Sequence, residues 1–140
     1  MPGSSNESPL AVRRLRILGI FLGVGLFFWL SIEESGDVWV LSFSAAISAL
    51  LAAQAWQRLK TRQGKPRYWL PLAGLLAGLL VTPLALLLMA LKTGLHGHQG
   101  PDFSGSQILS VILRTPVWVI SGLLIGVGLE IFRWSRNREN

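Results

Sequence analysis

The sequence predicts an all-α fold, a four-helix transmembrane bundle with both termini on the cytoplasmic or stromal side. Three observations lead there: long runs without charge, basic residues gathered on alternate connections, and tryptophan at the ends of the runs. The clearest run is Tyr68 to Leu91, 24 residues without Asp, Glu, Lys, Arg or His. At about 1.5 Å of rise per residue it can cross a hydrocarbon core of roughly 30 Å with some tilt. A buried helix of a soluble domain keeps a polar stripe for water, and this run has none.

Composition agrees. Of the 140 residues 51% are hydrophobic and 14% charged, with a mean hydropathy of +0.49, values that suit a small polytopic membrane protein. A net charge of +6 and a pI near 11.2 raise the question of nucleic acid. The basic residues, however, stand in short clusters at the flanks of apolar runs rather than along one amphipathic face, so no nucleic-acid partner is expected. Cysteine is absent, which removes disulfides, thiolate metal sites and cysteine nucleophiles.

In chain order, residues 1–12 are rich in Pro, Gly and Ser and are expected to form a disordered tail ahead of a single membrane domain, 13–135. Arg13, Arg14 and Arg16 precede a first span over about 15–33, with Arg16 lifting its head group along its own methylenes. A signal peptide competes for this stretch, but Phe27, Phe28, Trp29 and Leu30 occupy the place where a cleavage site needs small residues. The acidic connection Glu33, Glu34, Asp37 leads into a second span over 38–57. So short a linker makes the two helices antiparallel neighbours. Ser44 and Ser48 begin a stripe of small residues at four-residue spacing, and the same pattern recurs as Gly19-x-x-x-Gly23, Gly74-x-x-x-Gly78 and Gly122-x-x-x-Gly126. Small faces let backbones approach closely, the main source of helix association where lipid is as apolar as leucine.

Arg58, Lys60, Arg62, Lys65 and Arg67 crowd the next connection, and the third span follows over 68–91. Pro71 lies near its start, and Pro83 lies inside it, where it removes a backbone donor. Residues 92–115 form the longest polar segment. In it Ser104 and Gln107 are spaced as a capping box, predicting an interfacial helix over 104–114 before Pro116 turns the chain inward. A fourth span over about 115–134 leaves 136–140 as a tail.

The tails and the 58–67 connection carry 11 Lys and Arg against 2 on the opposite connections, which places both termini inside by the positive-inside rule. The tryptophans provide a separate test. Trp29, Trp39 and Trp118 fall at outer ends of the spans and Trp56, Trp69 and Trp134 at inner ends, the levels that interfacial rings prefer.

Candidate chemistry is sparse. His96, His98 and Asp102 offer two imidazoles and a carboxylate that can ligate zinc, copper or nickel, although such a pair in a Gly-rich loop is more often simply solvated, and no cofactor is expected. Glu130, the acidic residue closest to a span, is a candidate for an ion or proton pathway. Arg133 stands where it can pair with Glu130 across one helical turn, which needs no pathway. With no nucleophile elbow, zinc-protease pair or phosphate-cradling loop, no enzyme is expected.

The stretch LHGHQGPDF (95–103), followed by Arg114-Thr115-Pro116-Val117-Trp118, resembles small uncharacterised membrane proteins of cyanobacterial type. The resemblance implies a plasma or thylakoid membrane and attaches no activity. The residues themselves point to an accessory, assembly or scaffolding component acting by helix-helix interaction, its partners being the bilayer, other membrane proteins or a second copy. The alternative is a small transporter or channel subunit for a metal ion or protons, which would need a polar cavity at mid-membrane lined by Ser42, Ser44 and Ser48.

Overall fold

The structure, a computed structural model, describes residues 7–32, 36–60, 68–96, 102–136 and 138. Five helices account for nearly all of them: α1 Glu7–Ser31, α2 Asp37–Lys60, α3 Trp69–His96, α4 Gly105–Leu113 and α5 Thr115–Arg136. Three segments are long and apolar enough to cross a membrane: Asp37–Gln57, Trp69–Leu95 and the α4–α5 stretch Gly105–Arg136. Only 6% of the most apolar window of that last segment is buried by the rest of the protein. Ile120, Leu124, Ile131 and Phe132 are each more than half exposed. A soluble protein rarely leaves so continuous an apolar surface to water, so this is a membrane protein.

Two boundaries differ from those expected. Residues 7–12, assigned above to the disordered tail, are the first turns of α1. Pro9 falls within the first turn, where a missing N–H leaves no intrahelical bond unmade, and Leu10 and Ala11 favour helix. At the other end of the chain's apolar centre, α3 does not stop at Leu91 but carries on through Lys92 to His96. The interfacial segment forms as α4. Its Ser104 hydroxyl accepts from the Gln107 N–H, and the Gln107 side chain accepts from the Ser104 N–H at 2.8 Å, completing the capping box.

Arg114 joins α4 to α5. Pro116 has no N–H for the Ile112 carbonyl four residues back, and the Thr115 hydroxyl donates to that carbonyl at 2.6 Å instead. With its proton committed there, Thr115 Oγ1 accepts from Thr82 Oγ1, 2.8 Å away on α3. The joint between α4 and α5 is thus tied to α3 near its own proline, Pro83.

The helices stand in a row in the order α1, α2, α3, α5 rather than closing into a square bundle. The broadest interface is between α3 and α5, followed by that between α2 and α3, while α1 has its main interface with α2 alone. The α3–α5 interface is made by backbone. A Cβ on Gly74 would collide with the Gly122 carbonyl and lie 3.1 Å from the Gly126 Cα. One on Gly78 would strike the Trp118 carbonyl, and one on Gly126 would strike that of Leu70. Two of the glycine pairs predicted as packing faces therefore face each other, running antiparallel. The third does not share this role: Gly19 lies against Leu50, but among the described residues nothing comes within 4 Å of a Cβ on Gly23.

The side-chain core lies toward the other end of α3. It comprises Trp29 of α1, Val40 and Leu41 of α2, Val81, Ala85, Leu88 and Met89 of α3, Phe103 and Val111. Trp29, expected as a lipid-facing interfacial ring, is only 5% exposed and belongs to this core. It is the point at which α1 reaches past α2 to touch α3.

Two substitutions test the glycine interface. Gly122→Ala should destabilise the protein by about 1–3 kcal/mol, because a methyl group has no space against the Gly74 carbonyl. Gly23→Ala should be neutral or stabilising by up to about 1 kcal/mol, since it only improves helix propensity. Reversible unfolding in mixed micelles measures both, and equal effects would contradict the close approach.

Candidate functional site

The polar side chains within the apolar segments are few, and most are occupied by local bonds. On α2, Ser44 is fully buried and its hydroxyl donates to the Val40 carbonyl at 2.7 Å, one turn back on its own helix. Ser48, equally buried, donates across to the Ala77 carbonyl of α3. Ser42 is exposed and donates to the Val38 carbonyl at 2.8 Å. None of the three presents its hydroxyl to a mid-membrane cavity. The groove that does lie between α2 and α3, about 250 Å³, is lined by Leu51, Ala52, Ala73 and Leu76 with Trp56 and Trp69 among its walls, all apolar or aromatic.

A charged cluster occupies the core end. Lys92 is 1% exposed, and its Nζ stands 4.2 Å from the centroid of the Trp29 ring. Phe43 packs on the same ring, centroid to centroid 5.6 Å at 38°, and Trp39 continues the aromatic row at 6.5 Å from Phe43. Face-on contact with an indole stabilises an ammonium where water is excluded. Both the Trp29 and the Trp118 indole N–H groups are buried without a hydrogen-bond partner among the described residues. Nearby, Arg114 and Asp37 approach to 3.5 Å, joining the α4–α5 joint to the first turn of α2. With 50% of the Arg114 side chain exposed, this pair contributes little to stability.

The residues singled out from sequence are distributed as follows. His98 lies outside the described residues, as does the imidazole of His96. Asp102 is half-buried beside Phe103 at the start of the capped turn. Among the described residues no three His, Cys, Asp or Glu groups come together in a way that could hold a metal ion. Glu130 pairs with Arg133 at 3.6 Å, three residues on, the local pairing anticipated for it. Trp39 and Trp134 are exposed, Trp56, Trp69 and Trp118 are half-buried, and Trp134 stacks under the Arg138 guanidinium at 4.0 Å.

Two features were missed from sequence. Lys92 reads as the border of the third run because a charge follows eight apolar residues, Leu84 to Leu91. Its spacing from Leu88 and Met89 on one helical face was the signal that it points inward. Gln54 and Gln57 were passed over because neither interrupts the second run as a charge would. Chemically, the described side chains provide a structural polar network and no paired nucleophile and base.

The class these observations define is an all-α membrane protein whose spans are held by backbone contact. Comparison with protein-family models, with curated proteins and with solved structures returns no match.

The Lys92 contact is testable against the exposed ion pair. A double-mutant cycle combining Lys92→Met with Trp29→Leu should give a coupling of about 1–2 kcal/mol. The corresponding cycle of Arg114→Gln with Asp37→Asn should give less than about 1 kcal/mol. The reverse order, read from unfolding in mixed micelles, would contradict burial of the ammonium against the indole.

Proposed function

We propose that the chain is a four-span integral protein of a bacterial plasma or thylakoid membrane, with α1 as its first span and both termini on the cytoplasmic or stromal side. It acts as an accessory, assembly or scaffolding component through helix-helix interaction, with other membrane proteins or a second copy as its partners. The observation that carries this reading is the open row. A closed bundle would cover α1 on two sides, whereas here α1 packs mainly on α2 and leaves Phe21, Phe27 and Phe28 each more than 60% exposed. Gly23, set in this uncovered part of the helix, has open space around it. An edge helix with a small residue among large apolar ones suits close docking by another helix.

Burial of Ser44 and Ser48 in carbonyl hydrogen bonds supports interaction over transport. A conduction route needs polar groups turned toward a wet cavity, and these hydroxyls are committed to the backbone. No observation favours a reaction.

Native purification in mild detergent, followed by mass determination by light scattering, tests the proposal. The wild type should elute as a complex heavier than the 15.3 kDa chain with its detergent. Gly23→Leu should dissociate that complex while leaving the chain's own unfolding unchanged. A wild type that elutes as a monomer, or that conducts ions when reconstituted alone, would overturn the assignment.

A further inference from the structure

The end of the α1–α2 pair opposite the core opens into two clefts. One, of about 190 Å³, is lined by Val12, Leu15, Arg16, Gln54 and Gln57. The other, of about 550 Å³, is lined by Leu10, Ala11, Arg14, Ala53 and Trp56, again with Leu15 and Gln57. Leu15 and Gln57 stand on the ridge between them. Arg14 and Arg16 are two residues apart on a helix and so project to different sides, which gives each cleft one guanidinium.

Three properties of these clefts point to one ligand chemistry. Arg14 and Arg16 are exposed, and neither forms an ion pair among the described residues. The Gln54 and Gln57 amides are half-buried and make no hydrogen bond among the described residues. Amides without a protein partner keep their donors available to a ligand seated in the cleft. Finally, among the described residues no acidic side chain lines either cleft, while Leu10, Ala11, Leu15 and Ala53 supply apolar wall.

We infer that these clefts bind the headgroups of anionic phospholipids in the inner leaflet. The phosphate accepts from the guanidinium fork and from the glutamine amide, and the acyl chains follow the apolar wall toward the bilayer centre. A zwitterionic headgroup would bring an ammonium for which the described lining holds no carboxylate. Inorganic phosphate would leave the apolar wall uncovered. The inference rests on the inward placement of this end proposed above.

The test is titration of the full chain in mild detergent with phosphatidylglycerol or phosphatidylcholine, bound lipid being counted by native mass spectrometry. Phosphatidylglycerol should bind at least about tenfold more tightly. The Arg14→Gln, Arg16→Gln double variant should lose that preference, and Gln54→Leu with Gln57→Leu should weaken it. Arg13→Gln, which removes one charge from a neighbour that lines neither cleft, should leave it intact. Equal affinity for the two lipids overturns the inference, as does a loss in Arg13→Gln matching that in the double variant, which would mark only the general field of the basic face. Should a variant fail to accumulate, a photoreactive phosphatidylglycerol on the wild type gives the same decision. Crosslinks within 10–16 and 53–57 support the site, and crosslinks confined elsewhere overturn it. Lipid selectivity lost with the native complex intact would fail this inference alone, and a missing complex with selectivity intact would fail the interaction role alone.

Discussion

The contact on which the rest depends is the backbone-to-backbone approach of α3 and α5 at Gly74, Gly78, Gly122 and Gly126. Between helices in lipid there is little hydrophobic drive, because the tails they displace are as apolar as the side chains that replace them. What remains is dispersion, weak Cα–H···O contacts of about 0.5–1 kcal/mol each, and whatever hydrogen bonds can be made. All three improve as the axes draw together. The glycines allow that approach on both helices at once, so the carbonyl of one glycine occupies the space where the other would carry a Cβ.

Other features follow from that choice. With α5 drawn tightly to α3, the Thr82 and Thr115 hydroxyls come within hydrogen-bond distance at the joint with α4. There Thr115 satisfies the Ile112 carbonyl that Pro116 leaves open. Ser48 does comparable work between α2 and α3. Toward the core end the logic changes to side chains, with Trp29, Leu88, Met89 and Phe103 packed around a buried ammonium. The chain is thus joined by backbone along α3–α5 and by an aromatic and cationic cluster at one end. α1 is anchored mainly at that cluster, and near its opposite end it parts from α2 to form the clefts.

Much of this was legible in the sequence where a local rule sufficed. Uncharged runs bounded by charged residues gave the apolar helices, Ser104 and Gln107 gave the cap of α4, and the glycine spacings marked faces built for close approach. Local rules could not say which glycine faces meet. Gly19 and Gly23 carry the same motif as Gly74 and Gly78, and only the tertiary arrangement separates the pair that is packed from the one that meets open space. Trp29 and Lys92 misled for a related reason. Each stands at the end of an apolar run, where lipid headgroups and a protein core make the same demand for an aromatic ring or a long basic stem. Gln54 and Gln57 were illegible because a count of charges does not register an amide, whose neighbours appear only in the tertiary arrangement.

The arrangement proposed above puts hydrocarbon around these helices, with α1 crossing it. Because the chain has no cysteine, single cysteines can report this directly through a membrane-impermeant maleimide on intact cells. Gly36→Cys and Ser104→Cys should label without permeabilisation, whereas Ser4→Cys, Gly64→Cys and Asn140→Cys should label only after it. Labelling of Ser4→Cys and Gly36→Cys from the same side would contradict the account, because α1 would then not span the membrane.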